Sequence, residues 1–421
     1  MSVPNDVLHA LRERGFVQQI SDEMALASLL AKGPVTFYAG FDPTASSLHV
    51  GSMIPLMAMA HLSRAGHRPI AVLGGGTAMV GDPSGRTELR QMMTVETIQE
   101  NRLSIEPQVR RFVADAGEDA IVVDNAEWLA SLNYLTFLRD IGRHFSVNRM
   151  LAAEAYKQRM EKGLSFIEFN YQILQAYDYL VLNRKYGCAL QVGGDDQWGN
   201  ILAGTDLIRR LHQAETYALT FPLITTAAGA KMGKTAAGAV WLSAERTSPF
   251  DFYQYFVNVD DRDVGRFLKL LTFVPLDEIN RLASLEGAEL RTAKQTLAFE
   301  VTAIVHGKDA AEVAQNAARA AFGGGGGDLV PTHTVSAANL AAGIKAVDLL
   351  AAAGLAVSKS AARRLVEQGG VRLGTRKVTS VDDVVRADEI ASDGTLLHAG
   401  KKHVRRIVVE KDPKRHPKRV L

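Results

Sequence analysis

The chain has 421 residues, 47% of them hydrophobic and 22% charged, enough for more than one folding unit. No apolar run approaches the ~20 residues that span a bilayer, and the amino terminus MSVPNDVLHALRERG has no signal-peptide core. Its one cysteine, Cys188, rules out an internal disulfide and fits a cytoplasmic setting. The net charge of +2 is unevenly spread. Residues 343–421 hold 17 Lys and Arg against 9 Asp and Glu, a net of +8, which leaves −6 for the rest. An acidic body with a basic end suggests a polyanionic partner, although a charge run alone reads more simply as a solvated surface.

In chain order, PVTFYAGF reads as a strand. SMIPLMAMAHLSRAG follows as a helix, with Ser52 as N-cap, Pro55 in the first turn and Gly66 at the stop. RPIAVLGG is a strand, TVETIQENRLSIEPQVRRFVADAG a helix and AIVVDN a further strand. FIEFNYQILQAYDYLVLNRKYG is helical and CALQVGG strand-like. Strands alternating with helices imply a mainly parallel sheet covered on both faces. From about Pro249 the strand signals fade into helical patterns, and GGGGG at 323–327 breaks the chain. The expected division is an α/β body at 1–248, a helical part at 249–322, a Gly/Ala-rich linker at 323–342 and a small basic α+β module at 343–421.

Parallel sheets bind ligands where strand ends lead into helices. The stretch YAGFDPTASSLHVGS, residues 38–52, falls at such a place. A helix amino terminus there favours phosphate, Gly51 admits close approach, and Thr44, His49 and Ser52 supply hydrogen bonds without formal charge. Taken alone, the same stretch is better read as a buried histidine and a capping serine. AKMGKT at 230–235 sets Lys231 and Lys234 three apart in a glycine-containing loop suited to neutralising a departing pyrophosphate. It is no P-loop: Ala228 stands where the first glycine belongs, and AAGAVWLS is not a helix start. GGGTAMVGDPSGR, 74–86, lacks dinucleotide spacing, but Asp82 in it suits a ligand amine. Tyr171, Gln175 and Asp178 at i, i+4 and i+7 share one helix face, where Gln175 and Asp178 need polar partners.

LHVGS and KMGKT resemble the HIGH and KMSKS signatures of class I aminoacyl-tRNA synthetases. YAGFDPT, GDPSGR, NYQILQAYDY and QVGGDDQWGNI are similar, in order, to the bacterial tyrosyl-tRNA synthetases, and VSKSAARRLVEQGGVRLG resembles an S4 RNA-binding module. The resemblance runs from near the amino terminus through the tail and implies a Rossmann-like catalytic domain, a helical domain and an S4-like module. It implies tyrosine, ATP with Mg²⁺ and tRNA(Tyr) as substrates and partners, a homodimer, and no permanently bound cofactor, metal, membrane or DNA. By matching motifs, Tyr38 and Asp178 would bind the substrate hydroxyl, and Asp82, Tyr171 and Gln175 its ammonium. Thr44, His49, Lys231, Lys234 and Thr235 would stabilise the phosphates. Asp42, His49, Gly51, Ser52, Asp196, Gln197 and Lys234 would hold ATP. Arg363, Arg364, Arg372 and Lys377 would meet RNA phosphates.

The departures are Ser52 for the second histidine of HIGH, Ala39 at a position often cysteine, and Gly233 and Thr235 for the serines of KMSKS. A tryptophan enzyme of the same class is disfavoured by the polar Tyr38–Asp178 pair. A non-catalytic RNA-binding paralogue is disfavoured by the presence of His49, Lys231, Lys234 and Asp178.

Overall fold

The computed structural model describes residues 6–84, 92–161, 163–227, 229, 232–235, 238–323, 330–400 and 403–410. It contains two compact units. The first comprises Met1–Met232, Trp241–Ser243 and Gly265–Ile279; the second comprises Gly233–Val240, Ala244–Val264 and Asn280–Leu421.

The first unit is built on six strands: β1 (Gln19–Ile20), β2 (Thr36–Phe41), β3 (Arg68–Leu73), β4 (Ile121–Asp124), β5 (Leu190–Gly194) and β6 (Tyr217–Phe221). Their order across the sheet is β1-β6-β5-β2-β3-β4, parallel except for the antiparallel edge strand β1. Strands β2 and β3 read as continuous apolar runs because both faces are covered, and Phe37, Tyr38, Ile70 and Ala71 are all buried. Strands β2 and β5 pair only through Phe37–Leu190 and Tyr38–Gln191. Beyond that point the sheet opens, and this is where the strand order reverses, the place at which such sheets take ligands.

The expected strands at 36–41, 68–73, 121–124 and 190–194 and the helices Met53–Arg64, Val95–Val113 and Phe166–Tyr186 all form. Two details differ. Ser52 does not cap its helix: a 3₁₀ turn Val50–Ser52 precedes it, Ser52 is itself helical (φ −76°, ψ −9°), and its side chain makes no capping bond. His49 caps that turn instead, accepting the Gly51 amide on Nδ1 at 2.9 Å. The helix Trp198–His212 and strand β6 that follows it have no counterpart in the sequence reading.

The helix Phe166–Tyr186 opens on a capping box, Ser165 with Glu168, and ends at Gly187 with φ 64°. Its first turn is also held by the buried pair Arg159–Glu168 at 3.1 Å. Arg14, 8% exposed, donates to the carbonyls of Lys269, Thr272 and Val274, so its charge meets the carboxyl end of a helix and not a carboxylate.

In the second unit, β7 (Lys234–Thr235) and β8 (Gly238–Ala239) form a small hairpin. The helices Pro249–Val257, Leu290–His306 and Lys308–Gly323 carry the helical part. The carboxyl-terminal module has β9 (Thr332–Val335), β10 (Ile344–Lys345), β11 (Val371–Leu373), β12 (Arg376–Val378), β13 (Val384–Val385), β14 (Thr395–Ala399) and β15 (His403–Val409). Five of them make a sheet in the order β12-β11-β14-β15-β9, and β10 pairs with β13. Thr332–Val335 and Ala337–Ala342, inside the stretch read as a linker, are a strand parallel to β15 and a short helix. Leu349, Leu350, Val366, Val371, Leu397 and Ile407 give the module a core of its own. Arg405 ties β15 to Asp251 through two bonds of 2.8 and 2.7 Å. The fold is therefore a Rossmann-like α/β body, a helical region and a small α+β module.

Candidate active site

A cavity of about 210 Å³ lies at the opening between β2 and β5. Its walls are the carboxyl ends of these strands, the loops after β3 and β4, and one face of the helix Phe166–Tyr186. Tyr38, Asp42, Asp82, Tyr171, Gln175, Asp178 and Gln197 all line it, so residues scattered over 160 positions meet at one place. Three aspartates face the cavity, and among the described residues no lysine, arginine or histidine lines it. The field inside therefore favours a cationic group.

Asp178 is 4% exposed and is the most constrained of these groups. Trp128 Nε1 donates to its Oδ1 at 2.7 Å and Asn125 Nδ2 to its Oδ2 at 2.9 Å. Burial lifts its carboxyl to about 7, opposed by those two bonds and aided by the negative charges of Asp42 and Asp124. Tyr38 lines the same cavity from β2, its ring edge-on to Tyr179 at 5.2 Å. Its buried Oη has no hydrogen-bond partner among the described residues. A buried phenol without a partner costs free energy unless a ligand supplies one. Burial raises the Tyr38 and Tyr171 hydroxyls well above their usual value, so both remain neutral donors.

Around the other end, Asp42 accepts Tyr171 Oη at 3.1 Å and Thr77 Oγ1 at 2.8 Å. Asp82 accepts Gln197 Nε2 at 2.7 Å and the Ser84 amide at 2.9 Å. Gln175 lines the cavity from the same helix as Tyr171 and Asp178. The three consecutive glycines after β3 have a steric reason. A Cβ on Gly74 would overlap Asp42 Oδ1, and one on Gly75 would overlap Asp124 Oδ1.

Thr44, His49, Gly51, Ser52 and Asp196 do not line this cavity. Thr44 and His49 are exposed. The bond from the Gly51 amide to His49 Nδ1 places the neutral ring's proton on Nε2, a donor suited to an anionic oxygen. His49 is braced by Trp241, edge-on at 6.3 Å. Lys231 lies outside the described residues, while Lys234 and Thr235 form β7 in the second unit. In the module, Arg363 and Arg364 stand exposed on the helix Lys359–Glu367. Arg372 and Lys377 are exposed cross-strand neighbours on β11 and β12. Arg376, between them in sequence, is committed to Glu389 and Asp383.

Sequence reasoning missed Asn125, Trp128, Thr77 and Gln191, all of which shape the pocket. Asn125 had one usable signal, a polar residue directly after a strand end. It accepts the Gly76 amide at 2.7 Å and donates to Thr77 Oγ1 at 3.0 Å, locking two strand-end loops together. Trp128 carried no such mark. A lysine, Lys185, lies 5.6 Å from the centre of its ring.

An open parallel sheet with a polar, acidic crevice at its reversal point and a histidine-capped turn is the arrangement expected of a class I aminoacyl-tRNA synthetase. Residues 30–323 match the family of tRNA synthetases class I (W and Y), and residues 346–390 match the S4 domain. The chain is 52% identical over 408 residues to the tyrosine–tRNA ligase of Clostridium tetani, and equally so to that of Clostridium botulinum, covering 96% of this chain and 100% of each relative. It therefore belongs to the tyrosyl-tRNA synthetase family. Among solved structures, the C-terminally truncated mitochondrial tyrosyl-tRNA synthetase of Aspergillus nidulans superposes with a TM-score of 0.67 at 31% identity, covering 76% of this chain and 94% of that one. The tyrosyl-tRNA synthetase of Archaeoglobus fulgidus complexed with L-tyrosine shares the fold, with a TM-score of 0.57 at 18% identity over 74% of this chain and 100% of that one.

Proposed function

We propose that this tyrosine–tRNA ligase binds its amino acid in the β2/β5 crevice, with the phenol at Tyr38 and Asp178 and the ammonium at Asp82, Tyr171 and Gln175. The observation that carries the reading is the buried Tyr38 Oη, without a partner among the described residues, in the same cavity as the buried Asp178 carboxylate. A substrate hydroxyl gives the first a partner and donates to the second. Phenylalanine does neither, so both groups are desolvated with no return.

The enzyme activates tyrosine with ATP. The tyrosine carboxylate attacks the α-phosphorus, the bond to the bridging oxygen breaks, and pyrophosphate leaves. A ribose hydroxyl at the 3′ end of tRNA(Tyr) then attacks the acyl carbon and AMP departs. No protein nucleophile is needed, so alignment and charge stabilisation do the work. Because the cavity itself is acidic, the phosphates must be met from outside it. Thr44, the His49 Nε2 proton, Lys231, Lys234 and Thr235 fill that role, with Asp42, Gly51, Ser52, Asp196 and Gln197 at the nucleotide. Mg²⁺ would accompany ATP; no group of three or more potential ligands gathers among the described residues.

The tRNA would engage Arg363, Arg364, Arg372 and Lys377, none of which forms an ion pair within the described residues. We further propose a homodimer through the first unit, supported by the exposed apolar side chains of Tyr134, Leu135, Leu138, Val147, Phe166 and Ile167. No helix among the described residues is long and apolar enough to cross a membrane; a cytoplasmic location is our proposal. The deciding experiment is ATP–pyrophosphate exchange without tRNA, offering tyrosine, phenylalanine or tryptophan. Exchange with tyrosine alone is expected, and exchange with phenylalanine at a comparable rate would overturn the pocket assignment.

A further inference from the structure

Asp178 takes no part in binding by itself, because two loop residues hold it and those residues are held in turn. Asn125 and Trp128 follow strand β4, and the short helix Ala126–Leu129 that carries Trp128 begins with the Ala126 amide donating to Asp124 Oδ1 at 2.9 Å. The other oxygen of Asp124 meets Arg102 Nε at 3.2 Å, with both side chains only about one-sixth exposed. Arg102 sits on the long helix Val95–Val113, where Gln99 Oε1 at 3.2 Å and Glu106 Oε2 at 3.0 Å fix the guanidinium from either side. A Cβ on Gly75 would collide with Asp124, so the loop after β3 closes the remaining side. Arg102 touches no part of the cavity.

We propose that Arg102 is a positioning residue for tyrosine recognition: it anchors Asp124, and through Asp124 the helix that sets Trp128 and Asn125 on Asp178. This rests on the reading of Asp178 as the phenol's acceptor. It also has an electrostatic side. The charged and titratable groups facing Asp178 are Tyr38 on β2 and Asp42 just after it, Tyr171 on its own helix, and Asp124 at the end of β4. Lys185 stands over Trp128. Of these, Asp42 and Asp124 work against ionisation of Asp178. Arg102 is the cation that offsets Asp124, with Glu106 sharing its charge. Losing Arg102 leaves Asp124 uncompensated, and losing the Asp124 charge relieves Asp178. The two substitutions therefore push the pH dependence of tyrosine use in opposite directions. Simple loosening of the loop would move them the same way.

The test uses the full chain and tyrosine-dependent ATP–pyrophosphate exchange between pH 6 and 9, with kcat and KM separated. For Arg102→Gln, the midpoint of kcat/KM for tyrosine should rise by about half a unit. KM should rise several-fold near neutral pH, with kcat nearly retained at pH 8.5. Asp124→Asn, which still offers an oxygen to the Ala126 amide, should lower the midpoint. The double variant should return it to the wild-type value or below, and Arg102→Lys should keep the wild-type profile. An unchanged midpoint in Arg102→Gln, or a shift of the same sign in both single variants, overturns the proposal. Should Arg102→Gln fail to fold by circular dichroism, Asp124→Asn decides alone: a lowered midpoint supports the relay and an unmoved one ends it. Asp178→Asn separates the two layers. If it abolishes the pH dependence while Arg102→Gln has no effect, only the relay falls; if it leaves the dependence intact, the reading of Asp178 falls and takes the relay with it.

Discussion

At the scale of single residues, Asp178 shows how much one carboxylate depends on its surroundings. Its two oxygens already accept from Trp128 and Asn125, and burial holds its carboxyl near 7. The sign of the resulting pH effect follows directly. Below about 7 the group is protonated and loses its strength as an acceptor. Above it, on the proposed reading, the ionised form would make a charge-assisted bond to the substrate hydroxyl. Tyrosine affinity measured by calorimetry should therefore strengthen as pH rises through that value, and the slope should vanish in Asp178→Asn. The same variant should lose at least about 100-fold of its preference for tyrosine over phenylalanine, the worth of one charge-assisted bond of ~3 kcal/mol. Asp178 was legible in the sequence as a polar residue on a helix face. Its partners were not, because they lie some fifty positions away and reach it only once β4 stands beside β3.

At the scale of elements, strand ends and the first turns of helices do the positioning. The helix Phe166–Tyr186 was readable from its period, a local signal. The loop after β3 is a contrasting case. Its glycines fit no dinucleotide spacing in the sequence, whereas in the structure Gly74 leaves room for the Asp42 carboxylate that Tyr171 and Thr77 share. Gly74→Ala should displace Asp42, cutting exchange more than tenfold and costing about 1–3 kcal/mol of stability as an overpacked core does. Wild-type exchange in that variant would show that the loop has slack. The cap of the helix Met53–Arg64 was misplaced onto Ser52 because a 3₁₀ turn and an α-helix begin with the same residue types.

At the scale of the whole molecule, charge separates the two tasks of the enzyme. The cavity in the first unit is lined by three aspartates, residues 343–421 carry a net charge of +8, and the described part of that stretch has a core of its own. Replacing Arg363, Arg364, Arg372 and Lys377 together by alanine should leave tyrosine-dependent exchange unchanged. tRNA charging should fall by more than tenfold, and the salt dependence of tRNA binding should flatten, as expected when several phosphate contacts are lost. A matching fall in exchange would contradict the division of labour. The exposed Phe166, 69% accessible, tests the assembly. Phe166→Glu should shift the mass measured by light scattering towards the monomer, and a mass equal to that of the wild type would remove this side chain from the interface.

The sequence by itself determined the order of parts and the parallel-sheet class. Strand and helix periods, glycine breaks and charge runs are local properties that survive without a folded context. Only the tertiary structure decided which polar residues share a cavity, that His49 and not Ser52 caps the turn, and that Asp178 is held by Asn125 and Trp128. It also decided that Asp124 is paired with Arg102. The physical reason is that a buried hydrogen bond or ion pair is specified by two side chains meeting at about 3 Å, and no pattern along one chain fixes which distant segments the sheet will bring that close.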